Sequence, residues 1–462
     1  MRESIWSRRV HEPFLAAALL IGLVGFGYAG LLVAILSLGV PSGDWWPILV
    51  QAHGHAQLFG FVGLFVVGIG LNFLPKLRAT RLQRPDFAIW VLILLGGGIL
   101  LRTMVQPALA FVAVDSTPGL LLRVMWILSA DLALGGLAFL LYLAFLTARL
   151  APPLVSGAPA WPVIPFLLTA FASLTFALLT NLGGTLAAFL EHSKAAPPAW
   201  DLLTVHLMLY GFAIPVTFVF SVRNLPLYLR LAAPPRGAFR YVALVYAVGL
   251  VLRLVPTLGS VADFQVPASN AIAPVGVLAQ AISILVFIIL LDVAHRRAPW
   301  TVDRMPGRRD DLPPTRPGYP DYGEFGRFEL LIYSAFAWLT LAALFQIIRA
   351  MTQLLLGGPW ITLDAERHAL TIGFLTLLIF GMGARMVPGL SGKRRVAFPA
   401  LVVVTFILGN LAALMRIFPV FFPTSTLALS IYGISGLVGW VAVLAFAINL
   451  VATWRLAGPS RI

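Results

Sequence analysis

The chain has 462 residues, of which 60% are hydrophobic and 11% charged, with no cysteine and a formal net charge of +14; its mean hydropathy is +0.93. That balance excludes a soluble globular protein and marks a polytopic membrane protein. The missing cysteine excludes disulfides, thiolate metal sites, iron–sulfur clusters and covalent c-type haem attachment within this chain, so any metal ligand must come from His, Asp, Glu, Met or Tyr.

Apolar runs fall near residues 13–40, 52–75, 87–105, 119–148, 161–190, 201–228, 239–257, 271–294, 328–356, 367–388, 397–418 and 424–454. Each is long enough to cross a bilayer of about 30 Å, which needs roughly 20 helical residues. The first run follows "MRESIWSRRVHEP" without a small-residue cleavage site, so it reads as a first membrane helix and not as a removed signal. The connecting segments alternate in charge. One set carries Arg2, Arg8 and Arg9; Lys76, Arg78, Arg81 and Arg84; Arg230, Arg236 and Arg240; Arg296, Arg297, Arg304, Arg308 and Arg309; and Lys393, Arg394 and Arg395. The other holds Asp44, Asp115, Glu191, Asp201, Asp263, Asp364 and Glu366, with Lys194 and Arg367 its main cations. Basic loops face the cytoplasm, so both termini are expected there, in a bacterial-type cytoplasmic membrane. The positive charge then needs no nucleic-acid partner. Residues 296–327, rich in Pro and mixed charge, read as an irregular cytoplasmic linker.

A repeat organises the spans. "HAQLFGFVGLFVVGIGLNFLP" begins at His55, "HLMLYGFAIPVTFVFSVRNLP" at His206 and "HALTIGFLTLLIFGMGARMVP" at His368. Gly-Phe follows at the fifth and sixth positions after each His (Gly60–Phe61, Gly211–Phe212, Gly373–Phe374), and a Pro at the twentieth (Pro75, Pro226, Pro388). In each following span an Arg recurs, at Arg102, Arg253 and Arg416, with Pro107, Pro256 and Pro419 shortly after. With seven His in the whole chain, the coincidence is specific. The pattern predicts an all-α protein of twelve transmembrane helices, arranged as three four-helix units in a pseudo-threefold array. The units are 1–155, 156–300 and 328–462, with residues 301–327 as a cytoplasmic linker.

In this topology spans 2, 6 and 10 run inward and their His lie within a turn or two of the outer surface. The Arg lie near the outer ends of spans 3, 7 and 11. Ionisable groups inside a membrane are costly and usually mark function, and neutral imidazole suits haem iron or copper where thiolates are lacking. His53, His55, His206 and His368 are therefore the candidate metal ligands. Arg102, Arg253 and Arg416 are candidates to pair with haem propionates, since guanidinium meets carboxylate bidentately; snorkelling to the headgroups is the plainer reading of each Arg. His53 and His55, two residues apart, point about 200° apart on a helix. They face different sides of span 2, and His55 is the repeated residue. The Gly at the fifth position, about 140° round the helix, would admit either a flat macrocycle or a neighbouring helix. His192 is a weaker candidate, while His11 and His295 read as solvated. Asn181, Gln280 and Asn410 read as interhelical hydrogen-bonding groups, Asp131 as a member of a proton path, and Arg123 and Arg349 as interfacial anchors.

"HGHAQLFGF" in span 2 and "HALTIGF…ARMVPGLSGKR" in span 10 resemble the NnrS family, and the arrangement is distantly similar to the catalytic subunit of haem–copper oxidases. The resemblance implies a polytopic membrane protein of nitric oxide metabolism containing haem and copper. His53 and His55 match the family's paired His, and His368 its helix-10 His. Span 7, "FRYVALVYAVGLVLRLVP", lacks the consecutive His pair that oxidases use for copper, so an oxygen-reducing centre is not expected. The expectation is a b-type haem between span 2 and span 10 or 6, with His53 or His55 opposite His368 or His206, copper as a second metal, and a small diatomic gas or a redox partner beside the lipid bilayer. The competing class is a transporter or channel whose outer His and Arg form an anion or proton site. A sensor or assembly factor is a third, and the sequence leaves enzyme and non-enzyme open.

Overall fold

The computed structural model describes residues 9–154, 161–232, 234–295, 323–422 and 424–456. Most of the expected linker, at 296–322, lies outside them. The described chain forms twelve helices long and apolar enough to span a membrane: α1 (His11–Ser37), α2 (Trp45–Leu77), α3 (Pro85–Phe111), α4 (Thr117–Arg149), α5 (Trp161–Leu190), α6 (Pro198–Tyr228), α7 (Phe239–Val261), α8 (Ser269–Leu291), α9 (Phe328–Leu356), α10 (Leu363–Leu390), α11 (Pro399–Phe421) and α12 (Thr426–Arg455). A helix satisfies its own backbone groups, which hydrocarbon cannot do.

The helices divide by burial. In its most apolar window α6 is 89% buried and α2 and α10 are each 72% buried, against 39% for α1, α4 and α5. So α2, α6 and α10 stand in the middle and the other nine surround them. The outer helices touch in the order α1, α3, α4, α5, α7, α8, α9, α11, α12 and back to α1. That last contact closes the ring. Gly436 lies on Gly30, Gly433 on Ser37, and the Trp440 indole donates to the Leu23 carbonyl at 3.1 Å, so α1 and α12 run antiparallel with small residues at the crossing. The three central helices meet one another through Phe61 and Phe380 (ring centroids 6.4 Å apart), Phe73 and Phe220 (4.6 Å), and the Tyr210 hydroxyl with Glu366 (2.6 Å).

Each central helix changes its winding at one place. The π-helical segments Ala56–Gly63, Leu207–Ala213 and Ala369–Thr376 begin directly after His55, His206 and His368. Such i→i+5 turns in an α-helix often accompany functional sites. The Gly of each segment is where a neighbour presses in. A Cβ on Gly60 would meet the Ile21 side chain of α1, one on Gly211 would meet Ser173 of α5, and one on Gly373 would stand 2.7 Å from Trp338 of α9. These Gly seat a neighbouring helix; of the two occupants the sequence allowed, the structure takes that one.

The central helices start earlier than hydropathy suggested. α2 begins at Trp45 and α10 at Leu363. His55, His206 and His368 are the eleventh, ninth and sixth residues of their helices, about 15, 12 and 8 Å in at 1.5 Å per residue. His55 and His206 therefore lie more than two turns from the starts of their helices. His11, expected to be solvated, is fully buried, with Nε2 3.2 Å from the Ser391 hydroxyl. His295 is exposed beside Asp292, at 2.8 Å.

Candidate functional site

The recurring geometry of the three helices does not bring the four His to one point. It distributes them among three spaces between a central helix and its neighbours. Among the described residues no group of three His, Asp or Glu could hold a metal ion, so the expected copper has no three-ligand site of that kind.

The space between α1, α2, α10, α11 and α12 holds His53 and His368. His53 Nδ1 lies 2.9 Å from the carbonyl of Gly25 on α1, and His368, Asp364 and Arg416 are close enough to act on the ring electrostatically. His368 Nδ1 lies 2.8 Å from its own helix's Asp364 carbonyl and 3.2 Å from the Asp364 carboxylate. In a neutral imidazole the ring nitrogen facing a carbonyl oxygen carries the proton and Nε2 keeps the lone pair. Arg416 reaches the Asp364 carboxylate at 3.1 Å and lies over the Tyr432 ring at 4.3 Å from its centroid. Further in, Phe26, Phe61, Phe380 and Phe446 pack together and make the lining apolar. The arrangement is an Arg416–Asp364 ion pair at the rim, two imidazoles beside it and an aromatic floor.

The space between α6, α7, α8, α9 and α10 is closed by charge. Glu366 is fully buried and takes Arg253 at 2.8 Å, Arg349 at 3.1 Å and the Tyr210 hydroxyl at 2.6 Å. Arg253 also donates to Gln280 at 3.2 Å and lies over the Tyr210 ring at 3.4 Å from its centroid. His206 packs on Tyr210 with both ring nitrogens buried and unpartnered. Arg349, expected as an interfacial anchor, is instead one of two counter-ions to a buried carboxylate.

The space between α2, α3, α4, α5 and α6 holds His55 and Arg102. His55 stacks on Phe59 at 4.6 Å, and neither ring nitrogen has a partner. Arg102 donates Nε to Gln106 at 2.9 Å and Nη1 to the Asn181 amide oxygen. Of the three recurring Arg, only Arg416 stands by the His53–His368 pair. Arg102 and Arg253 are buried and do not snorkel.

The structure corrects smaller readings too. Arg123 is buried and clasps the Phe189 and Val114 carbonyls at 3.2 and 3.3 Å, so it too is no interfacial anchor. Asp131 is exposed on the outside of α4, away from any polar interior. His192 is an exposed partner of Asp115 at 3.0 Å. Asn181 and Asn410 bond between helices, the latter to Trp338 Nε1 at 3.0 Å and the Ser334 hydroxyl at 3.3 Å. Asp364, Glu366 and Tyr210 were missed as site residues because both acids looked like loop residues. The i,i+4 spacing of Asp364 and His368 on one helix face was the available signal.

A family model described as "NnrS protein" matches residues 326–458. The chain resembles the NnrS family. The NnrS match spans α9 to α12 and so includes His368, Asp364 and Arg416 but not His53. No curated protein matches the chain in sequence. In three dimensions the chain is similar to the subunit in a cryo-EM structure of a haem–copper terminal oxidase dimer, with a TM-score of 0.68 and 12% identity over 99% of this chain and 85% of that one. The fold of the chain is therefore similar to that of the haem–copper oxidase subunit, with twelve helices among the described residues long and apolar enough to span a membrane.

Proposed function

We propose that this chain is a membrane haem protein that carries one b-type haem between α2 and α10, ligated by His53 and His368, and that it works in the handling of nitric oxide or a related nitrogen oxide. The carrying observation is the matched pair of imidazoles. Each is fixed through Nδ1 by a backbone carbonyl, at 2.9 and 2.8 Å, and each keeps Nε2 free. That is how a protein sets the tautomer and orientation of a metal-binding His. The surroundings suit an amphipathic macrocycle: aromatic rings from α1, α2, α10 and α12 inside, Arg416 toward the helix starts for the propionates. His55 and His206, packed against Phe59 and Tyr210, are not the ligands in this reading.

His53 and His368 would hold the group, which would supply one-electron transfer when bound. The residues of this chain do the rest. Asp364 accepts from His368 Nδ1 and from Arg416, holding the ring's orientation and balancing the guanidinium. The Gly25 carbonyl does the same for His53. The aromatic floor keeps water from the site. The nitrogen-oxide assignment rests on the NnrS resemblance over 326–458. We read the recurring π segments as the mark of three related four-helix units about a pseudo-threefold axis. We also place the His-bearing end outside, because Lys76, Arg78, Arg230, Arg240 and Lys393 gather at the opposite end, which puts the termini in the cytoplasm.

The test is the absorption spectrum of the purified full-length protein, expressed with haem supplied. A six-coordinate low-spin spectrum is expected, lost or converted to high spin in His53→Ala and His368→Ala and retained in His55→Ala and His206→Ala. A colourless protein, or a spectrum that follows His55 and His206 instead, would overturn the assignment.

A further inference from the structure

The three recurring Arg differ in what neutralises them. Arg253 has Glu366 at 2.8 Å and Arg416 has Asp364 at 3.1 Å. Arg102 is only 4% exposed, yet among the described residues no carboxylate comes within ion-pair distance of it. Its partners are the neutral oxygens of Gln106 and Asn181. These are held in place: Gln106 donates its amide NH2 to Gln51 at 3.1 Å, and Gln51 is clamped by the backbone of Ala196, at 2.9 Å through both its nitrogen and its oxygen. The relay fixes Gln106 with its oxygen toward Arg102 and leaves the third guanidinium nitrogen, Nη2, without an acceptor among the described residues.

Other donors in the same space lack acceptors. Trp126 lies under the guanidinium, its ring centroid 5.5 Å from Cζ, and its indole N–H is buried and unpartnered. His55, 5% exposed and electrostatically close to Arg102, has neither ring nitrogen paired. Asp201 lies near Arg102 without touching it. A buried cation beside several unmet N–H donors is costly: a desolvated charge needs a contacting counter-charge, and each orphaned donor forfeits its hydration. Arg102 has Asp201 nearby but, among the described residues, no carboxylate in hydrogen-bonding contact, and its planar guanidinium edge matches the paired oxygens of an oxyanion.

We propose that the space between α2, α3, α4 and α6 binds a small monovalent oxyanion, held by Arg102 Nη2, the Trp126 indole N–H and the His55 ring. The site is separate from the His53–His368 pair and does not rest on haem binding. The Arg102→Gln106→Gln51 relay orients the guanidinium, and Asp201 sets the affinity by partly opposing the anion.

The experiment uses the full-length chain in detergent, in a gluconate buffer, with sodium nitrate, sodium formate and sodium chloride as probes, following thermal unfolding and calorimetric binding. Nitrate and formate are expected to stabilise saturably. Arg102→Gln should weaken them by about tenfold or more, the loss of one charge-assisted contact. Trp126→Phe, which keeps the packing, should weaken them about two- to tenfold. Asp201→Asn should tighten them, a gain that misfolding cannot produce, and Arg102→Gln should unfold cooperatively without anion as the wild type does. Stabilisation that never saturates, equal response in Arg102→Gln and wild type, or weaker binding in Asp201→Asn would each overturn the site. Chloride binding as tightly as nitrate would overturn the oxyanion class.

Discussion

Glu366 offers a quantitative test of the packing around the central helices. It is fully buried on α10 and, among the described residues, is the one carboxylate in contact with both Arg253 of α7 and Arg349 of α9. Glu366→Gln keeps the shape and leaves an amide oxygen for the Tyr210 hydroxyl, now 2.6 Å away. It removes the charge from two charge-assisted bonds at 2.8 and 3.1 Å. Such bonds contribute about 1.5–3 kcal/mol each, so the pair sums to about 3–6 kcal/mol. Arg253 keeps its contacts with Gln280 at 3.2 Å and with the Tyr210 ring, which the wild type also has and which therefore do not offset the loss. Removing one partner of a buried pair generally costs about 3–5 kcal/mol, and that range is expected here. The assay is equilibrium unfolding by SDS titration in mixed micelles. A double-mutant cycle with Arg253→Gln should show favourable coupling in the wild type of about 1 kcal/mol or more. Destabilisation under 1 kcal/mol, or strict additivity in the cycle, would refute the claim that this carboxylate locks α7 and α9 to α10.

Asp364→Asn weakens the hold on His368 and leaves Arg416 without its carboxylate; haem affinity should fall about 10- to 100-fold with the low-spin spectrum still reached at saturation, measured by haem titration of the apoprotein. Gly276→Ala places a Cβ 2.5 Å from the Arg253 nitrogen and 2.6 Å from the Gly249 carbonyl, and should destabilise by about 1–3 kcal/mol through overpacking; a neutral result in thermal unfolding would mean α7 and α8 can part freely. Gly70→Ala is the counterpart. No atom lies within 4 Å of the added Cβ, and Gly70 borders an apolar cavity of about 70 Å³ among α2, α4, α5 and α6; stability should rise by about 0.5–1 kcal/mol. Asp131→Leu should leave the haem spectrum unchanged and the protein no less stable, because Asp131 is exposed on the outer side of α4; loss of the spectrum would restore Asp131 to the interior.

The sequence by itself determined the solvent, the element type and the period. A bilayer core has one thickness and tolerates no unpaired backbone, so the twelve apolar runs could only be helices. The recurrence of His, Gly-Phe, Pro and Arg identified corresponding helices before any were placed. Tertiary structure decided which residues meet. A two-residue step on a helix turns a side chain through about 200°, so His53 looks toward α1 and α10 and His55 toward α3. Which of them finds a second His depends on which helix stands there, and no local pattern carries that. The counter-ions were hidden for a related reason. Asp364 and Glu366 sit two residues apart near the start of α10, so one turns to Arg416 and the other to Arg253 and Arg349, on opposite sides of a helix that the sequence had begun too late. Arg102 shows the same logic by contrast: its recurring position was plain in the sequence, and only the packing of α2, α3 and α5 revealed that its hydrogen-bond partners are the amides of Gln106 and Asn181 and not a carboxylate.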